Sequence, residues 1–133
     1  MMNELISYND SLILRELGFD EACFAWYGNG QLILEHHIIF TGDQYYMRKE
    51  DCNAPTFSQA FRFFREKYQW QSYIEPTSNQ HSRELGYNYC LWNYKTGEEY
   101  NTMPQNCPSG DWEFEKYEDA ELACLIKLIK INS

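Results

Sequence analysis

Residues 87–94 read Tyr-Asn-Tyr-Cys-Leu-Trp-Asn-Tyr, and this run constrains the fold more than any other. Successive side chains of a strand point to opposite faces, so Tyr87, Tyr89, Leu91 and Asn93 share one face of an extended segment. Lys95-Thr96-Gly97-Glu98 turns the chain back into a weaker strand over residues 99–102. A further strand is expected over residues 70–74, stopping before Pro76, with a loop over residues 77–84. A sheet covered on one side must expose its alternate residues. Here the surplus is aromatic: Tyr45, Tyr46, Trp70, Tyr73, Tyr87, Tyr89, Trp92, Tyr94, Tyr100 and Trp112. Exposed rings on such a sheet suit a dimer interface or a binding platform, while cross-strand ring packing is the plainer reading.

The helices announce themselves by their ends. Ser7 and Asp10 fit a capping box, in which side chains satisfy orphan N–H groups of the first turn. Ile13, Leu14 and Leu17 then supply a buried stripe. Gly18 stands where a left-handed cap is needed, and Phe19 is placed to fold back onto Leu14. In a second helix, opened by Ala54-Pro55-Thr56, Thr56 and Gln59 form another capping box. Phe57, Ala60, Phe61, Phe64 and Tyr68 line one face of it, with Arg62, Arg65, Glu66 and Lys67 mostly outside. The last helix spans about residues 117–131 and repeats Leu122, Leu125, Ile126 and Ile129 at helical spacing. Between the first two helices lies a hairpin. Residues 22–27 alternate around Phe24 and Trp26, Asn29-Gly30 supplies a type I′ turn, and residues 31–37 return. Residues 41–53 read as a polar connection, and residues 103–110, with Pro104, Pro108 and Gly110, as irregular chain.

A length of 133 residues predicts one domain over residues 1–133. The expected architecture is α+β: an antiparallel sheet of four to five strands with three helices, in the order α-β-β-α-β-β-β-α. Strand order stays open. A 44% hydrophobic composition supports a proper core and excludes a disordered acidic tail. The mean hydropathy of −0.65 reads as polar because Tyr and Trp score poorly on that scale while packing well. No apolar run approaches the roughly 18 residues of a membrane span, and the first residues lack a secretory pattern. Five irregularly spaced cysteines then read as reduced thiols in a cytoplasm. The net charge of −9 disfavours direct binding to nucleic acid or an anionic membrane, leaving protein partners, small ligands or cations.

Motifs of catalysis are scarce. His36 and His37, with Cys52 or His81 as candidate additional ligands, are adjacent on an expected strand and so point to opposite faces, an arrangement that does not readily chelate one ion. Cys23, Cys90 and Cys124 fall inside apolar elements as small hydrophobes, and Cys107, between Asn106 and Pro108, is the most exposed thiol. Glycine-rich phosphate loops are missing, because Gly28-Asn29-Gly30 joins two strands. What remains is an acidic stretch. Asp111, Glu113, Glu115, Glu118, Asp119 and Glu121 face one Lys116 within residues 111–121. The stretch reads either as a solvated helix start favoured by the macrodipole or as a docking face for a basic protein. A mimic of nucleic acid is the third reading.

Three segments carry a resemblance: Leu17-Gly18-Phe19-Asp20-Glu21-Ala22-Cys23-Phe24, then Ala54-Pro55-Thr56 running into Phe61-Arg62-Phe63-Phe64-Arg65-Glu66-Lys67-Tyr68, and Tyr117-Glu118-Asp119-Ala120-Glu121-Leu122-Ala123-Cys124-Leu125. In this order they resemble small uncharacterised proteins common in phages and mobile elements of gut Bacteroidetes. The likeness covers the three helices and their caps. Glu115-Lys116 departs from it, standing where such proteins often carry a Thr-like cap. The resemblance implies a phage or bacterial setting and a cytoplasmic location, and it transfers no catalytic residue.

Together these readings lead to a non-enzymatic, phage-type accessory protein that binds another protein, with host proteins among the candidates, through an acidic or aromatic surface. Its expected partner-binding residues are Asp111, Trp112, Glu113, Glu115, Glu118 and Asp119. No cofactor and no catalytic or metal residue is assigned, and a homodimer through the aromatic face is an alternative use of it. The alternative function is a small enzyme or ligand-binding protein with a site near His36 and His37 and the connection over residues 41–53.

Overall fold

A computed structural model describes residues 4–34, 50–78, 83–102 and 112–133 of the chain. Among them the order is α1 (Tyr8–Glu16), β1 (Ala25–Gly28), β2 (Gln31–Leu34), β3 (Cys52–Asn53), α2 (Phe57–Lys67), β4 (Trp70–Ser78), β5 (Leu85–Asn93), β6 (Glu99–Asn101) and α3 (Tyr117–Asn132). The fold is α+β, with three helices as expected. The described strands do not join in one sheet of four to five; they form two antiparallel sheets of three, ordered β2-β1-β3 and β4-β5-β6. Two compact units are distinguishable, Met1–Phe63 with Ile129–Ser133, and Phe64–Leu128.

In the first unit, α1 begins and ends on its caps. The Ser7 hydroxyl accepts from the Asp10 N–H at 3.3 Å and donates to the Asp10 carboxylate at 3.1 Å. At the other end the Phe19 N–H donates to the Leu14 carbonyl at 2.9 Å, and the Gly18 N–H to the Arg15 carbonyl at 3.0 Å. This pair of bonds is the Schellman arrangement. It requires a left-handed residue, and Gly18 has φ 106°. Leu14 is the buried member of the expected stripe, joined by the small Ser11.

The hairpin pairs Gly28 with Gln31 across Asn29 and Gly30, whose φ angles of 54° and 76° match a type I′ turn. The alternation over residues 22–27 turns Ala25 and Tyr27 inward rather than the large rings of Phe24 and Trp26. Ala25 and Tyr27 are buried, Phe24 is exposed and Trp26 half-buried. Tyr27 turns inward because its hydroxyl donates to the Ile6 carbonyl at 2.6 Å, giving the ring a polar exit from an apolar core. That core comprises Leu5, Ala25, Tyr27, Cys52 and Ala54, with Tyr8, Leu12 and Leu32 packed on it.

Cys52 and Asn53 were expected in a connection but form β3, pairing with Tyr27 and Trp26 on the free edge of β1. The reason is tertiary. Asn53 donates to the Glu21 carbonyl at 2.9 Å, the Asp51 carboxylate accepts from the Asn29 N–H at 3.2 Å, and Arg15 donates to the Asp51 carbonyl. Tyr8 adds a bond to the Glu50 carbonyl at 2.6 Å. Residues 41–49 of the expected connection, with residues 35–37 of the returning strand, lie outside the described residues.

Entry into α2 is a reciprocal capping box: the Thr56 N–H donates to Gln59 Oε1 at 3.0 Å and the Gln59 N–H to Thr56 Oγ1 at 3.2 Å. Gln59 Nε2 also reaches the Ala22 carbonyl at 3.0 Å, and Arg62 pairs with Glu21. Phe63, absent from the expected stripe, is buried edge-on against Phe19 at 5.5 Å between centroids.

In the second unit β5 is the central strand. β4 does not stop before Pro76; it runs through it to Ser78, pairing Pro76 with Tyr87. The Tyr87 N–H donates to the Phe114 carbonyl at 2.7 Å, and the Phe114 N–H donates back at 3.1 Å. Tyr87 therefore directs its backbone groups away from β4. Pro76 sits at a non-hydrogen-bonded position of an edge strand, where a missing N–H breaks no rung of the ladder. In α3 the buried residues are Ala120, Cys124, Leu125, Leu128 and Ile129. Leu122 and Ile126, expected in the buried stripe, are exposed.

Two substitutions test the capping account. Gly18→Ala and Thr56→Ala are each expected to lower stability by about 1 kcal/mol, the first through a strained left-handed residue and the second through a lost cap. Urea unfolding should show a lower midpoint at unchanged slope. An unchanged midpoint in either variant would contradict the assigned cap.

Candidate binding surface

Residues directly opposite in an antiparallel pair project to the same side, so register alone sorts the β4-β5-β6 side chains. One face collects Trp70, Ile74, Tyr87, Tyr89, Leu91, Asn93 and Tyr100. Tyr117 of α3 meets Tyr87 edge-on at 5.7 Å, Phe114 stacks on Tyr89 at 6.3 Å, and Lys127 Nζ lies 4.7 Å from the Tyr100 ring centre. Trp70 adds a ring contact to Tyr100 at 5.9 Å. These rings are the covered side of the sheet, and the plainer reading of aromatic packing holds for them.

The opposite face carries Gln71, Tyr73, Glu75 and Thr77 from β4, Gly86, Asn88, Cys90 and Trp92 from β5, and Glu99 and Asn101 from β6. Tyr73 is 50% exposed and Trp92 43%. Tyr94, 51% exposed, meets Trp92 edge-on at 6.4 Å. Between Tyr73 and Asn101 lies Cys90, buried, with its sulfur 4.0 Å from Glu99 Oε1. A hydrogen bond shared with Cys90 is the main cause holding the Tyr73 phenol above its ordinary pKa, and Glu75 and Glu99 add to it. Burial raises the Cys90 thiol in turn, partly offset by that same bond. Exposed rings, a neutral thiol and two carboxylates thus share one face.

Asn88 fixes this face from below. It is 1% exposed, and its amide donates to Thr77 Oγ1 at 3.2 Å. Its oxygen accepts from the Thr102 hydroxyl at 2.9 Å and from the Glu113 N–H at 3.1 Å. One side chain thereby ties β4, the end of β6 and the segment leading into α3.

That segment is the acidic stretch, which the structure divides into two parts. Trp112 lies over Gly86 so closely that a Cβ there would stand 1.9 Å from Trp112 Cδ2; only glycine permits the approach. Phe114 pairs with Tyr87, and Glu113 is held by its backbone while its side chain is exposed. Residues 112–114 are therefore anchored to β5. Glu115, Glu118 and Asp119 are exposed, the latter two in the first turn of α3, where the helix dipole favours acids. Asp111 lies outside the described residues, as do His36, His37, His81, Cys107 and the pair Tyr45-Tyr46.

The other described thiols, Cys23, Cys52 and Cys124, are poor nucleophiles. Burial pushes Cys23 and Cys124 up to about 12 and Cys52 up to about 11, from an ordinary value of 9.0. A thiol so raised is neutral at physiological pH and does not attack. Among the described residues no group of three or more His, Cys, Asp or Glu side chains is placed to hold a metal ion. No described helix is long and apolar enough to cross a membrane.

Two outcomes follow. Asn88→Leu strands partners in the interior and should cost about 1–3 kcal/mol, read as a lower urea midpoint; an unchanged midpoint would contradict the clamp. The raised thiols should keep their protons in the fold while unfolded thiols ionise near 9, so stability is intact below that pH. It is then lost as pH rises towards about 11 for Cys52 and about 12 for Cys23 and Cys124. Urea midpoints falling between pH 8 and about 10.5 support this, and a flat profile contradicts it. No protein-family model, curated protein or solved structure matches the chain.

Proposed function

We propose that this chain is a non-enzymatic protein-binding module whose β4-β5-β6 face takes a basic segment of a partner protein. The observation that carries the reading is the exposure of Tyr73 and Trp92 on one face beside Glu75 and Glu99. An exposed ring accepts the aliphatic stem of Arg or Lys and attracts its charge through the ring quadrupole. A carboxylate at the next rung then receives the charged head. Aromatic anchors ringed by polar groups are the composition of a binding hot spot. The net charge of −9 steers a basic partner towards the chain and repels nucleic acid.

Within this proposal Trp112 and Glu113 extend the same face at the Gly86 end, while Glu115, Glu118 and Asp119 contribute to the long-range field. The setting implied by the sequence resemblance is a phage or mobile element acting in a bacterial cytoplasm, with an accessory role exercised by binding.

A fluorescein-labelled Arg-Leu alternating peptide is the test. Wild-type chain should bind it in the micromolar range and lose affinity steeply with salt, because the Debye length shrinks from about 10 Å at 0.1 M to about 3 Å at 1 M. Tyr73→Ala and Trp92→Ala should each weaken binding by about tenfold, the loss of one anchoring ring. Equal binding of a Glu-Leu peptide, or full affinity in both variants, would contradict the proposal.

A further inference from the structure

The outward side of α3 carries a row at four-residue spacing: Glu118, Leu122, Ile126 and Lys130, all exposed. Leu122 and Ile126 are 40% and 46% exposed, on a helix that already buries Ala120, Cys124, Leu125, Leu128 and Ile129. Residues four apart stack into one ridge of a helix surface. This ridge reads acid, Leu, Ile, base along its length. Among the described residues neither Glu118 nor Lys130 takes part in a salt bridge.

The row is complementary to its own reverse. The midpoint between Leu122 and Ile126 is position 124, and the midpoint between Glu118 and Lys130 is the same position. A two-fold axis through that point sets Leu122 against Ile126 of the partner subunit and Glu118 against Lys130 of the partner subunit. The second pair of each kind follows by symmetry, as in any isologous interface. Asp119, beside Glu118, reinforces the acidic end. We propose that the chain self-associates through α3, with a second copy docked antiparallel on this row. Interdigitated four-residue ridges cross at about −50°.

Charge selects this occupant over others. A membrane surface calls for basic residues flanking the apolar row, whereas this row has an acidic end on a chain of charge −9. An antiparallel second copy sets the acidic end of the row against the basic end and Leu against Ile. The apolar area is small, so the association is transient, at the low end of interface sizes. The surface is separate from the β4-β5-β6 face, and self-association stands whether or not that face binds a basic partner.

Sedimentation velocity on the whole chain, with no partner added, tests it. Between about 10 µM and 1 mM the wild-type chain should shift from monomer towards dimer, as expected for a small interface. Ile126→Glu should stay monomeric across that range with an unchanged circular dichroism spectrum. Lys130→Glu should weaken the dimer by about threefold or more, and more so at low salt. The double variant Glu118→Lys with Lys130→Glu restores every cross-subunit pair and should recover the wild-type constant to within about twofold. A wild-type chain monomeric throughout would overturn the proposal. So would a dimer that survives Ile126→Glu, or a double variant no better than its singles.

Discussion

The amide of Asn88 is the constraint on which the second unit depends. A buried amide left without partners costs more than the bond itself is worth, so its location is strongly specified. Here it reaches Thr77, Thr102 and the Glu113 backbone at once. Those partners come from both neighbours of the central strand and from the segment entering α3. A slip of β5 by one residue would strand the amide and send every ring to the other side of the sheet. Register, and with it the division of the aromatic residues, is set by one buried amide on the face that also carries Tyr73 and Trp92.

That division links packing to the proposed activity. Trp70, Tyr87, Tyr89 and Tyr100 are committed to the covered side, where Tyr117, Phe114 and Lys127 meet them. Tyr73, Trp92 and Tyr94 are left outside. Their exposure follows from the pleat, since a sheet covered on one face presents its alternate residues on the other. The acids Glu75 and Glu99 share that exposed side, giving it both apolar contact area and negative potential. The described thiols Cys23, Cys52 and Cys124 are held neutral by burial.

The sequence made local devices legible and left tertiary ones dark. Ser7 with Asp10, Gly18, Thr56 with Gln59 and Asn29-Gly30 act within a few residues, and each appears where its chemistry requires. β3 was not legible because two residues carry no periodicity; Cys52 and Asn53 become a strand only through β1, Glu21 and their neighbours. Pro76 misled because its tolerance depends on the register of Tyr87, which Phe114 sets from the far side. The α3 face misled for a different reason. Leu122, Leu125, Ile126 and Ile129 span a wide arc, and small residues, Ala120 and Cys124, decide which side approaches the sheet. The acidic stretch was visible as charge, yet nothing in its composition shows that Trp112 and Phe114 anchor its first half to β5.

The central claim, that register places Trp92 outside and Trp70 inside, is open to one direct measurement. In a sample labelled with 15N at the indole nitrogens, a soluble paramagnetic probe relaxes each indole N–H according to its exposure. The account predicts strong relaxation of the Trp92 indole and little for Trp70, in keeping with their opposite faces and with 43% against 2% exposure. Equal relaxation of the two, or the reverse order, would contradict it.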